Sequence, residues 1–342
     1  MQHKKNNIMK LFRSSILLLL LSFTTVNFAQ SLIQTTLDKN QLPPPPSNWA
    51  KKNKLGFDIS EIAFVNWSAG GTSSISGLFK GEFSRIYAKD NHKWANELIV
   101  RYGMNKQDGI ELRKTDDAML FNSTYGFRKD TTSNWFYSAK FNFNTQFTNG
   151  YSYPNRDIAI SKPFAPAYIF LGAGAENSNK EKNRTFYFSP ITLKTTLVLD
   201  QYLANQGAFG VKKAIYITDP SDPDTKILVE EGQKVKAEFG ILFTGYMKSE
   251  IFKNIFFENR LNLYTDYLNK FGNVDIDYDT RLDLVVNAYV KANIGVHIVY
   301  DDDIKSKRDG IDPVTGNKMQ ITEGPKVQLK QVLGVGLVYA FQ

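Results

Sequence analysis

The sequence alternates between apolar and polar residues over runs that are long for a β-strand. In residues 135–147, one face carries Trp135, Tyr137, Ala139, Phe141, Phe143 and Phe147, and the other carries Ser138, Lys140, Asn142, Asn144 and Gln146. Similar runs cover 75–83, 274–286 and 327–341. A period of two indicates strands with two chemically different faces. Strands of soluble proteins average about 5–6 residues, whereas a tilted strand needs about 9–11 residues to cross a membrane.

The chemistry of the two faces favours a barrel in a membrane. The polar faces carry Gly, Ser, Asn and charges of both signs, as a crowded lumen does, and the apolar faces place aromatics near strand ends. Backbone amides in hydrocarbon must all be paired, so such a sheet must close on itself. We therefore predict an all-β fold, a single antiparallel up-and-down transmembrane β-barrel of about 12 strands. A secreted soluble β-sandwich, with its apolar rows packed between two sheets, is the alternative.

The spacing of the strands supports this prediction. The pattern predicts strands over 57–66, 73–88, 94–104, 117–128, 135–147, 165–176, 184–199, 235–248, 253–264, 274–287, 291–301 and 327–341. The connections then alternate between mostly long ones, from 67–72 to 302–326, and short ones, from 89–93 to 288–290. Outer-membrane barrels pair longer outer loops with short periplasmic turns.

The first 54 residues are predicted to lie outside the barrel. Residues 1–29 combine a basic start, an apolar core and a small residue at Ala29, which is the pattern of a cleaved signal peptide. Residues 30–54 form a Pro-containing periplasmic linker, and the barrel is predicted to occupy 55–342. Removing 1–29 lowers the formal net charge from +8 to +4, so no nucleic-acid partner is expected. The chain is expected in the cell outer membrane, with outer-membrane lipid as its partner.

Alternation places a set of charged side chains on the predicted inward face. We predict that the lumen carries Arg101, Lys140, Lys194, Glu238, Arg260, Asp275, Asp277, Asp279, Arg281, Asp283 and His297. The four aspartates of this set lie on one face of one strand and repel each other unless cations oppose them. Arg101, Lys140, Lys194, Arg260 and Arg281 are the expected partners. A salt-bridged interior and a cation-attracting pore wall are both compatible with this row.

No catalytic, metal or cofactor site is predicted. The chain has no cysteine, and His297 is the one candidate base for a barrel enzyme that acts on lipid. Asp301, Asp302 and Asp303, with Asp309 and Asp312 nearby, have the oxygen chemistry of a Ca²⁺ site but not the spacing of an EF-hand loop. A solvated run of charges is the simpler interpretation.

Several short motifs resemble those of a known family. They are Asn66-Trp67-Ser68-Ala69-Gly70-Gly71, Arg113-Lys114-Thr115-Asp116-Asp117, Tyr151-Ser152-Tyr153-Pro154, Ala165-Pro166-Ala167-Tyr168, Gly207-Ala208-Phe209-Gly210, Tyr300-Asp301-Asp302-Asp303 and Val332-Leu333-Gly334-Val335-Gly336. In this order they resemble a family of uncharacterised Bacteroidota outer-membrane β-barrel proteins, a domain of unknown function with a WxxGG-type motif in the first hairpin. The resemblance implies the barrel fold and brings no activity. The terminal Tyr339-Ala340-Phe341-Gln342 resembles the signal read by the barrel-assembly machinery, an expected partner during biogenesis.

Three functions are compatible with these features. The polar lumen favours a porin-like barrel, a narrow channel or transport-related barrel. Because only larger barrels of about 16–18 strands leave a wide aqueous channel, a non-conducting structural or interaction barrel that presents large loops is the alternative. A lipid-acting enzyme is a weaker third hypothesis. The sequence leaves the identity of a soluble ligand unknown.

Overall fold

The computed structural model describes residues 47–63, 72–269, 271–311 and 318–341. The strands and helices described form the compact unit Asn48–Gln342. The predicted signal peptide 1–29, the linker residues 30–46, the motif 66–71 and Asp312 lie outside the described residues.

Twelve long strands form one closed antiparallel barrel. They are β1 (Trp49–Ile62), β2 (Ser74–Lys89), β3 (His92–Gln107), β4 (Arg113–Phe127), β5 (Trp135–Thr145), β8 (Ala167–Asn179), β9 (Arg184–Leu197), β12 (Val235–Phe252), β13 (Ile255–Asp266), β14 (Asp275–Val285), β15 (Val290–Tyr300) and β18 (Gln328–Phe341). Each strand pairs with its neighbour along the chain, and β1 pairs with β18 to complete the ring. The prediction of an all-β, 12-stranded barrel is confirmed.

Three small hairpins and a short helical segment lie outside the ring. The hairpins are β6 (Gly150–Tyr151) with β7 (Ala159–Ser161), β10 (Ile215–Asp219) with β11 (Asp222–Glu230), and β16 (Lys305–Ile311) with β17 (Lys318–Pro325). Helix α1 (Gln201–Asn205) and a 3₁₀ turn (Ala208–Gly210) precede β10. No helix among the described residues is long and apolar enough to cross a membrane.

The connections divide into two groups, and the chain ends of β1 and β18 lie with the short ones. We call this the turn end, with connections 90–91, 128–134, 180–183, 253–254 and 286–289. The opposite loop end carries the described residues of the other connections, which are 63, 72–73, 108–112, 146–166, 198–234, 267–269, 271–274, 301–311 and 318–327. The connection predicted at 105–116 is an exception, because its polar flanks extend β3 and β4 and leave only 108–112 between the two strands.

The first strand begins earlier than the sequence suggested. Residues 49–54, expected in the linker, belong to β1 and pair with β2 out to the pair Trp49 and Tyr87. The sequence of this stretch is polar, because it contains four consecutive polar residues, Lys51, Lys52, Asn53 and Lys54. Cross-strand hydrogen bonds, not hydropathy, decide its conformation.

A β-bulge in β9 reverses the faces of that strand. The pairings of β9 with β8 and with β12 both shift by one residue around Ser189, Pro190 and Ile191. Proline cannot donate to a ladder and is tolerated at such a bulge. Tyr187 before the bulge packs against Leu242 and Tyr264, and Lys194 after it lines the cavity, so both point inward although one number is odd and the other even.

The outer surface is apolar, and the charged residues are inside. Leu333, Leu171, Ile191 and Phe188 are all exposed, and Leu333 retains 72% of its accessible surface. Lys194, Glu238, Glu258 and Asp283 are buried, and Lys194 retains 4%. This distribution is the reverse of that in a water-soluble protein.

Candidate functional site: the charged lumen

The barrel encloses a cavity of about 670 Å³ that extends from one end to the other. Its wall includes Lys180 and Asn183 of a connection at the turn end, and Asp301 and Ile304 at the loop end. Alternation of each strand explains the lining, because every second side chain points inward.

The structure places the eleven predicted residues as follows. Nine of them line the cavity: Arg101, Lys140, Lys194, Arg260, Asp275, Asp277, Asp279, Arg281 and His297. The other two, Glu238 and Asp283, are buried beside lining residues. Glu238 lies 3.6 Å from the Lys194 ammonium, and Asp283 Oδ1 lies 3.0 Å from Arg281 Nε.

One ion pair crosses the middle of the lumen. Arg260 on β13 contacts Glu97 on β3 through both terminal nitrogens of its guanidinium, with Nη1–Oε2 at 3.1 Å and Nη2–Oε1 at 3.3 Å. These two strands stand six places apart in the ring of twelve, so they are opposite each other. Two parallel charge-assisted bonds fix both side chains in position. The pair therefore forms a bar across the lumen.

Glu258 contacts Arg260, the residue of this bar that lies on β13. Its carboxylate lies 2.7 Å from the Lys248 ammonium, 3.1 Å from Arg281 and 3.3 Å from Arg260. Three cations from three strands compensate one buried carboxylate, which is the arrangement that a charge removed from water requires.

The loop end carries a second network around Lys194. Its ammonium lies 2.6 Å from Asp275, 3.6 Å from Glu238 and 3.7 Å from Asp301. Asp301 and its neighbours are therefore not a solvated run: Asp303 binds Lys236, and Asp302 accepts from Asn273 at 3.0 Å. Among the described residues, no group of three or more His, Cys, Asp or Glu side chains is placed to hold a metal ion.

The row of aspartates finds partners that differ in part from the expected ones. Asp275 contacts Lys194, and Asp283 contacts Arg281, as expected. Asp277 instead accepts from His297 at 2.8 Å. The other expected partners contact different groups: Arg101 lies 3.5 Å from Asp116, Arg260 binds Glu97, and Lys140 donates to Thr244 Oγ1 at 2.7 Å. Side-chain reach across the lumen decides these pairs.

An apolar cluster fills one side of the lumen. Tyr187, Leu242, Tyr264 and Phe170 pack together on the adjacent strands β9, β12, β13 and β8. Cations lie over the rings: Lys140 is 5.1 Å from the Tyr187 ring centroid, and Lys194 is 5.1 Å from that of Tyr264. Such contacts favour a partly desolvated cation. The cavity is thus narrowed from one side.

Sequence reasoning missed several residues that the same alternation contains. Glu258 shares its face with Arg260, and Glu97 shares its face with Arg101, so period two places both inward. Asp58 and Lys80 form a 2.5 Å pair across β1 and β2. Only spatial proximity singles out these four from other inward polar residues.

The surroundings of His297 do not resemble a catalytic triad. Within the described residues, its one side-chain hydrogen bond runs to Asp277, and no serine hydroxyl takes part. A base needs a nucleophile within hydrogen-bond reach.

Comparison with solved structures finds distant similarities to three outer-membrane proteins. The outer-membrane channel of Pseudomonas putida F1 is similar with a TM-score of 0.39 and 10% identity, over 89% of this chain and 100% of that chain. The translocator domain of the autotransporter NalP from Neisseria meningitidis follows, with a TM-score of 0.33 and 8% identity over 92% and 95%. The β-domain of the Bordetella autotransporter Brka has a TM-score of 0.29 and 6% identity over 86% and 99%.

No curated protein matches the chain. One protein family, described as a protein of unknown function (DUF3078), matches residues 59–151.

Proposed function

We propose that the protein is an outer-membrane β-barrel whose outer surface contacts lipid. The observation that carries this proposal is the inversion of the usual distribution: exposed aliphatic and aromatic side chains surround buried ion pairs. A closed ring leaves no unpaired strand edge, which is the condition for a sheet in hydrocarbon. We also propose that Tyr339 and Phe341, at the end of β18, present the strand to the barrel-assembly machinery.

Within this class we propose a narrow channel for small ions. The single observation behind the proposal is the cavity, whose charged lining reaches from the turn end to the loop end. The bar formed by Arg260 and Glu97 is its constriction. Fixed charges of both signs at a constriction govern which ions pass.

Planar-bilayer recording tests the channel. Wild-type protein is expected to give discrete current steps, and the double variant R260A/E97A roughly twice the conductance or more, because both parts of the bar are gone. Removing both partners avoids leaving one charge buried alone, and Glu258 keeps Lys248 and Arg281. L333A, on the outer face, is the matched control. Flat traces from all three proteins at every voltage would reject the channel.

A non-conducting barrel that presents its loops is the second candidate. The observation in its favour is that the loop end carries its own packed cluster, in which Val198, Leu203, Ala204 and Val211 surround Ala165. Flat traces from protein shown to be folded would favour this function.

A further inference from the structure

The lumen contains a group of cations near the turn end that its carboxylates do not balance. This basic cluster consists of Lys52, Lys54, Lys248, Arg281 and Lys291, and its nearby carboxylates are Glu82, Glu258 and Asp283.

Strand register places the two less obvious members inside the barrel. Lys52 pairs with Ser84 of β2, which lines the cavity, and directly opposed residues share one face of a sheet. Lys291 lies two residues before Asn293, another lining residue of the same strand. Both lysines therefore point toward the lumen at its turn end.

The three carboxylates form ion pairs with three of the five cations. The other two cations, both lysine ammonium groups, have no ion pair in the part of the chain that the structure describes. Lys54 binds Glu82 at 2.9 Å, while Lys248 and Arg281 share Glu258 and Asp283. Within the described residues, Lys52 and Lys291 make no ion pair within 4.0 Å.

The members of the cluster repel one another. Lys52 interacts unfavourably with Lys54 and Lys248 and favourably with Glu82 and Glu258. Lys291 interacts favourably with Asp283 and unfavourably with Lys54, Lys248 and Arg281. β1 and β12 stand five places apart in the ring, so the repulsion acts across the lumen and not only along one strand. Like charges held together by a rigid scaffold attract an anion of opposite charge.

We propose that the basic cluster binds a soluble phosphate-type anion at the turn end of the lumen, with Lys52 and Lys291 as its main contacts. Two ammonium groups without a described carboxylate within 4.0 Å give the cluster a surplus of positive charge that matches a dianion, and lysine binds phosphate groups as a point charge. The free anion is favoured over a lipid headgroup because the side chains point away from the lipid-facing surface. The site does not require that the barrel conduct ions.

Calorimetric titration of the folded, full-length mature protein in an uncharged detergent tests this site. Sodium pyrophosphate is the probe, at low ionic strength, where screening is weakest. The variants are K52Q and K291Q. The matched control is K51Q, which removes the same charge one residue away on the opposite face of β1. Heat-modifiable migration on SDS gels verifies that each variant folds.

Wild type and K51Q are expected to bind pyrophosphate equally, whereas K52Q and K291Q each weaken binding about tenfold or more, the value of one charge-assisted contact. Both variants should be at least as heat-stable as wild type, because they remove repulsion. A role in folding alone would instead lower stability and leave affinity unchanged.

Three results would overturn the inference. They are the absence of saturable binding by wild type, an equal loss in K51Q and K52Q, and a dependence on Lys52 and Lys291 seen with phosphatidylglycerol in mixed micelles but not with pyrophosphate. The last result would assign the site to lipid. Conductance is measured separately, so failure of the channel proposal does not affect this outcome.

Discussion

At the seam where the barrel closes, a glycine makes room for a carboxylate. Asp58 on β1 pairs with Gly336 on β18, and an added Cβ at Gly336 would lie 1.9 Å from Asp58 Oδ1. The other oxygen, Oδ2, accepts from Lys80 at 2.5 Å and from Asn293 at 3.4 Å. The carboxylate thereby connects β1, β2 and β15 while it packs against β18. Because the seam contains only seven residue pairs, this contact carries a large share of closure.

G336A is expected to destabilise the barrel. The methyl group would displace Asp58 from Lys80, and overpacking of this kind costs about 1–3 kcal/mol. The measurement is the temperature at which the compact band on an SDS gel converts to the unfolded band. G295A is the control, because the nearest atom to its Cβ would be 3.9 Å away. Equal conversion temperatures for the two variants would contradict the proposed role of Asp58.

At the scale of elements, strand positions follow from the sequence more closely than strand lengths do. β5 starts at Trp135 as predicted, and β13 lies within two residues of the predicted 253–264 at each end. β12 extends to Phe252, four residues beyond its predicted end, and β1 begins eight residues before the predicted strand. The added residues lie near the ends of the barrel, where additional polar side chains interrupt the alternation between apolar and polar residues.

The packed cluster around Ala165 at the loop end includes residues of α1, and α1 begins at a single N-cap residue. Asp200 accepts from the amide of Leu203 at 3.0 Å at the start of α1 and from Lys162 at 2.6 Å in the preceding connection. Burial alone would raise the pKa of Asp200, but the hydrogen bonds from Lys162 and Leu203 outweigh it and hold the pKa below its ordinary value. A lowered pKa means that this carboxylate stabilises the loop above the ordinary pKa and loses that effect as the pH falls through the lowered one.

D200A is expected to open this loop without unfolding the barrel. Loss of an N-cap costs about 0.5–2 kcal/mol, so trypsin should cleave after Lys212 or Lys213 roughly fivefold faster at neutral pH. D219A, at the exposed tip between β10 and β11, is the control and should leave the rate unchanged. In wild type, hydrogen exchange over 198–214, corrected for intrinsic rates, should rise as the pH falls through the lowered pKa. An unchanged cleavage rate in D200A would show that the cap does not hold the loop.

At the scale of the whole molecule, closure is the condition for a stable fold. Each barrel strand has two neighbours, so the removal of any one exposes two unpaired edges. The hairpin β10–β11 has no partner in the ring and contributes nothing to closure.

Deletion of residues 328–342 is therefore expected to abolish the folded barrel. The compact, heat-modifiable band should disappear, because β1 and β15 each lose their pairing with β18. Replacement of 216–229 by a short Gly-Ser linker is a control of similar size and should retain that band. A compact band from the chain without β18 would contradict the requirement for closure.

The sequence by itself determined the class of the fold, the approximate position of the twelve strands and the inward direction of the charges. These features depend on the period of two, a local property that each strand carries independently. It also located candidate lumen residues such as Arg260 and Lys194, but not their partners.

Only the tertiary structure decided which charges meet. The pair of Arg260 and Glu97 spans 163 positions of the chain, and that of Lys93 and Glu176 spans 83. The alternation of a strand shows which residues point inward. It does not show how far along the barrel axis they lie or which strands face each other, so it cannot tell which inward carboxylate a given cation meets. Closure, strand stagger and the bulge at Pro190 fix those coordinates, and with them the Arg260–Glu97 pair and the lysines at the turn end.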